Sequence, residues 1–227
     1  MKFATIIGKN DYSETSISPV ERFLRSLHTA SKCRYIASAR LKHKGSFAFT
    51  TTTTLSLGLI FIPLMQNAGL KLAYSSQVLN MIQIFLAVSV LVYSVINSKT
   101  GYEIRAEKLN ECGDRIKELA RLLESDLSKC NKKLEFDYST YRERYVDIDT
   151  DVENHTQLDH AFAKMSLTSF YTVSGIKRVH LKFKSHCKIF LSYYVAFIIL
   201  GLEAIVILDM LNLTSIFSPH LQTMGNI

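Results

Sequence analysis

The residues with chemistry to offer in this chain lie mostly in apolar surroundings. Glu203 interrupts the apolar run Ile189–Leu208, on the same helical side as Ser192, Ala196 and Ile199. A carboxylate in lipid is costly, so an intramembrane acid is a candidate functional site. Ser46, Thr50, Thr54 and Gly58 recur every four residues, and Asn80, Gln83, Ala87 and Ser94 follow helical spacing. Small residues at such spacing let helices approach closely, and hydroxyls and amides can bond across the contact or hold water. Farther along stands Glu153-Asn154-His155, followed by Asp159. On a helix His155 and Asp159 are one turn apart and could hydrogen bond or share a metal. Two ligands are too few, no third is placed, and no metal or other cofactor is expected.

These residues need elements to hold them. Two runs, Phe47–Met65 and Val78–Ile96, each have 19 residues and no charge. At 1.5 Å per helical residue each nearly matches a hydrocarbon core of about 30 Å. The connector Gln66–Gln77 carries one lysine, Lys71. Residues 47–96 therefore read as a transmembrane helical hairpin. The run 189–208 reads as a third transmembrane helix, with 209–227 as an external tail. The expected fold class is an all-α membrane protein: a transmembrane hairpin, a cytoplasmic helical bundle and a C-terminal third span.

Charge sets the expected orientation. Of 27 Lys and Arg, nine fall in residues 1–46, seventeen in 97–188 and one in the connector. This asymmetry places the N-terminus and the long middle segment in the cytoplasm. The basic stretch 32–44 lacks an aromatic-interleaved recognition motif, so direct nucleic-acid binding is not expected. Residues 1–20 lack an apolar signal core, so the first span is expected to direct insertion. The four cysteines form no CxxC pair and read as reduced thiols.

Residues 1–17 read as a polar arm and 18–46 as a basic cytoplasmic helix. Ser18 is the cap, Pro19 the first helical residue and Glu21 the partner of a capping box. Residues 97–188 read as a cytoplasmic helical region. Gly101 is a candidate bend. Leu109, Cys112, Ile116, Leu119 and Leu123 step by three and four, a seam suited to packing on the N-terminal helix. A second helix is expected over 135–151 and a last cytoplasmic one over 161–188. The chain contains no GxGxxG, GxxxxGK[ST], HExxH or nucleophile elbow, and no enzyme is read from it.

The arrangement resembles the SLATT proteins. The resemblance rests on a basic helix leading into a hairpin, then Ser98-Lys99-x-x-Tyr102-Glu103-x-x-Ala106-Glu107-x-Leu109. The Tyr-rich stretch and Glu153-Asn154-His155-x-x-x-Asp159 complete it. It covers about residues 20–165. It implies a bacterial inner-membrane effector of a conflict system, thought to form pores and stop the infected cell. The partner it implies is a sensor, either a nucleotide messenger synthase or a reverse transcriptase. The third apolar segment departs from a plain two-span pattern and looks like the reverse-transcriptase-linked branch.

Two functions remain open on the sequence. One is an oligomeric, membrane-permeabilising effector held closed by its cytoplasmic helices. The other is a non-conducting membrane anchor or sensor that scaffolds a cytosolic partner.

Overall fold

A computed structural model describes residues 18–130, 136–150, 153, 156–167 and 175–217. Side chains within α6 are described at 175, 179, 183 and from 193 onward. The described residues form six helices and no strand: α1 (Pro19–Asn67), α2 (Ser76–Thr100), α3 (Tyr102–Lys129), α4 (Ser139–Thr150), α5 (Gln157–Ser166) and α6 (Gly175–Met210). Three of them, α1, α2 and α6, hold stretches long and apolar enough to cross a membrane.

The basic helix expected over 18–46 and the first span are one helix of 49 residues. The Glu21 N–H donates to Ser18 Oγ at 3.2 Å, which starts the helix where the Ser-Pro signal predicts. Gly45 and Ser46 stand where the basic half meets the apolar half, but no proline does, and the helix runs on through them. The helix expected over 161–188 is corrected: α5 ends at Ser166, and α6 starts at Gly175 and continues unbroken through the third apolar run. α6 keeps Asp209 and Met210, two residues beyond the run read as the third span. Gly101, with φ of 54°, caps α2 in the left-handed region and separates it from α3.

The chain divides into two compact units, one drawn from Met1–Ala37 and Lys108–Val173, the other from Ser38–Glu107 and Ser174–Ile227. The first packs the beginning of α1 against α3, α4 and α5. Its core contains Leu27, Ile116, Leu119, Leu123 and Ile148, ringed by Phe23, Tyr138 and Tyr145. The seam Leu109, Cys112, Ile116, Leu119 and Leu123 is buried throughout, as its spacing predicts. Ser31 donates to the Gly113 carbonyl at 3.0 Å, and the Tyr35 hydroxyl donates to Asp114 at 2.6 Å. A Cβ at Gly113 would lie 3.0 Å from the Tyr35 ring, so the glycine lets the two helices close.

The Glu153–Asp159 element belongs to this unit. Arg34, only 1% exposed, donates to the Glu153 carbonyl. Asp159 is buried as the third residue of α5 and forms a reciprocal capping box with Thr156. Burial pushes the neighbouring Cys33 thiol up to about 11, with the Asp159 charge adding to the effect. Asn154 and His155 lie outside the described residues, so the His155–Asp159 pairing is not seen. Among the described residues no three His, Cys, Asp or Glu side chains form a metal cluster.

Candidate functional site

The second unit holds the apolar helices and the polar residues within them. Its helices α1 and α6 run side by side. Phe47 stacks on Tyr193 and Phe197, with ring centroids 4.3 and 5.2 Å away. Farther along, Gly58 faces Glu203. At the end of α6, Tyr74 of the connector meets Asp209. The buried residues of α1 here are Ala48, Thr51, Leu55, Gly58 and Ile62, and those of α6 include Ala196, Glu203, Val206 and Met210. The α1 set steps by three and four and the α6 set by seven, three and four, the spacing of a packed helix seam.

Glu203 sits inside that seam. It is 3% exposed, and its Oε1 accepts no hydrogen bond. A Cβ at position 58 would lie 2.7 Å from the Glu203 Cδ and closer still to Oε1. The carboxyl thus occupies a notch that exists because residue 58 has no side chain. An unpartnered buried polar group costs about 1–3 kcal/mol. Thr51 is a second polar residue in the seam. It is 1% exposed and its hydroxyl makes no well-formed hydrogen bond, although the Tyr93 hydroxyl lies beside it.

Thr51 stands apart from its neighbours. Thr50, Thr52, Thr53 and Thr54 each donate to the carbonyl four residues earlier, at 2.9–3.0 Å. This back-bonding satisfies hydroxyls without a second helix. The lane read as Ser46, Thr50, Thr54 and Gly58 therefore divides. The first three are exposed, while Gly58 is buried against α6. On α2, Leu79 and Leu86 face the core. Asn80, Ala87 and Ser94 are exposed, and the Gln83 amide donates to Gln66 Oε1 at 3.2 Å, joining α2 to the end of α1.

Sequence reasoning missed Asp209. Its carboxylate is fully buried and accepts from the Tyr74 hydroxyl at 3.1 Å, the Thr214 hydroxyl, and the Ile216 and Phe217 N–H groups. Alongside it, the Ala73 N–H donates to the Met210 carbonyl at 3.1 Å. The connector and residues 211–217 are thereby clasped to the end of α6. Glu203 is not the lone acid of its helix. The available signal was Asp209 followed by Asn212, which turns the chain back with φ of 60°.

Helices of membrane-spanning length around a buried polar seam define an all-α membrane protein. The chain belongs to the SMODS and SLOG-associating 2TM effector domain family 5, whose model matches residues 16–211. It is therefore a SLATT membrane effector domain, the family expected from its motifs. The match runs past the end of α6, so the third apolar helix lies within the matched domain rather than outside it. No curated protein and no solved structure matches the chain.

Proposed function

We propose that this chain is a non-enzymatic effector that permeabilises the bacterial inner membrane when a partner sensor triggers it, arresting or killing the cell. The observation that carries the reading is the buried, unpartnered carboxyl of Glu203 within an apolar helix. A purely structural anchor gains nothing from an acid there, whereas a wetted, open state would stabilise it. In the closed state the clasp at Asp209 and the notch at Gly58 hold α6 against α1. Activation separates them, and Glu203 meets water and ionises.

The orientation follows the basic residues. The N-terminus and residues 97–188 face the cytoplasm, and the connector faces outward. The exposed small and polar residues Ser46, Thr50, Thr54, Asn80, Ala87 and Ser94 serve contacts between copies in a homo-oligomer. The family's name associates it with SMODS and SLOG systems. That association supports a sensor partner acting on the cytoplasmic helices, a nucleotide messenger synthase or a reverse transcriptase system. The Glu153–Asp159 element braces α1 at Arg34 and is the part of those helices best placed to pass on a trigger.

The test is expression of the full chain, its clasp loosened by Asp209→Asn so that opening does not wait for the partner, in bacteria loaded with a membrane-potential dye. Depolarisation preceding growth arrest is expected. A well-inserted chain that leaves the potential steady would overturn the reading in favour of a non-conducting anchor or scaffold.

A further inference from the structure

The polar stripe of α2 is one candidate pore lining, and the buried polar groups between α1 and α6 are another. Asn80, Ala87 and Ser94 are exposed, and Gln83 is already bonded to Gln66. Five hydroxyls of the first span, those of Thr50, Thr52, Thr53, Thr54 and Ser56, are spent on their own helix. Among the described residues of the second unit, the buried side-chain oxygens left without a well-formed bond are Thr51 Oγ1, on the helical face of Phe47 and Gly58 and beside Tyr93, and Glu203 Oε1 opposite Gly58.

Their spacing forms a series. Thr51 precedes Gly58, the residue level with Glu203, by seven residues, or about 10.5 Å of helix. Asp209 follows Glu203 by six residues, or about 9 Å. At the Phe47 end, Tyr193 lies within electrostatic reach of Tyr93, Tyr102 and Arg40. At the other end stand Asp209 and Tyr74. Polar groups thus recur along the full length of the seam, separated by aliphatic layers at Leu55 and Ile62 that keep it dry.

We infer that ions cross along the α1–α6 seam, not along the α2 stripe, and that Glu203 makes the path selective for small cations. This rests on the permeabilising reading above. When the helices part, Thr51 and the Gly58 backbone offer neutral oxygens, and Glu203 is the only carboxyl among the described residues of the wall between Tyr193 and Asp209. A fixed negative charge there attracts cations and repels anions. Gly58 leaves room for a hydrated ion beside the carboxylate, where any larger residue would fill the notch.

The experiment reconstitutes the full chain in liposomes under a potassium chloride gradient and reads the reversal potential. The parent is expected to prefer potassium to chloride. Glu203→Gln, equal in size but unable to ionise, should lower that preference about fivefold or more. Glu203→Lys should invert it. Separately, a hydrophilic thiol reagent should block current through Thr51→Cys and leave the parent conducting. A chain that passes no ions even when its clasp is loosened by Asp209→Asn overturns the effector reading itself. A conducting chain whose selectivity is unchanged in both Glu203 variants, or whose current is not blocked at Thr51→Cys, overturns only the seam.

Discussion

The contact between Gly58 and Glu203 can be tested by one methyl group. Gly58→Ala places a Cβ 2.7 Å from the Glu203 Cδ and 3.2 Å from its Cγ, so the glutamate must swing out of its notch. Forcing an extra methyl into a packed site costs about 1–3 kcal/mol. Replacing glycine by alanine inside a helix returns about 1 kcal/mol. The expected net change is a destabilisation of about 0–2 kcal/mol. The discriminating measurement is a double-mutant cycle. In a Glu203→Ala background the clash is gone, and Gly58→Ala should stabilise the chain by about 1 kcal/mol. The difference between the two backgrounds is then the overpacking cost, about 1–3 kcal/mol. Reversible unfolding of the purified full chain in detergent micelles gives all four values. A coupling below about 0.5 kcal/mol is ordinary additivity and would refute the idea that Gly58 exists to seat the carboxyl.

Other outcomes follow from the same contacts. Ser76→Cys should react with an impermeant thiol reagent added outside intact cells, and exposed Ser125→Cys should not; the reverse pattern would invert the orientation. Native Cys112 cannot serve as that control, because at 2% exposure it would stay silent on either side. With its ionisation pushed up to about 11 by burial, Cys33 should resist thiol reagents at pH 8 and react only on unfolding, while half-buried Cys130 reacts first in a Cys187→Ser chain. Thr156→Ala removes half of the α5 capping box and should cost about 1 kcal/mol in thermal unfolding, a loss that unchanged melting would contradict. Thr50→Leu with Thr54→Leu should shift the oligomer distribution in detergent, since both side chains are exposed and bonded only to their own helix; an unshifted distribution would remove that lane from self-association.

What was legible in the sequence depended on how local the signal was. The three apolar runs declare themselves by length, and the α3 seam by its three-four spacing among charges. The lane on the first span divides between exposed and buried positions because it keeps a strict period of four. At 3.6 residues per turn each step of four drifts by about 40°, so by Gly58 the lane has turned about 120° from Ser46. The buried face is the set with alternating steps, 48, 51, 55, 58 and 62, which admits Thr51 and leaves Thr50 and Thr54 outside. Chain continuity was also hidden. Charge composition changes sharply at 46 and at 188, but α1 and α6 cross both places without a break because composition alone does not end a helix. Asp209 was beyond reach for another reason. One of its donors, Tyr74, is 135 residues away, and the others come from a loop with no periodic signature.

The two acids of α6 make a comparison within one helix. Asp209 and Glu203 are both buried and stand six residues apart. Asp209 is met by two hydroxyls and two backbone N–H groups, so its charge is fully accommodated and its work is to hold the connector. Hydrogen bonds to a charged acceptor contribute about 1.5–3 kcal/mol each, and four of them make that end of the seam hard to open. Glu203 Oε1 has none, yet the helix provides a glycine-lined space for it when an alanine or leucine at 203 would pack more cheaply. Local rules are satisfied at one acid and broken at the other, and departures of this kind concentrate where function resides. The seam is therefore expected to open first around Glu203, with the clasp at Asp209 yielding last. A chain in which Asp209→Asn loosens the connector should conduct more readily than one in which Glu203→Gln fills the same helix with a neutral side chain.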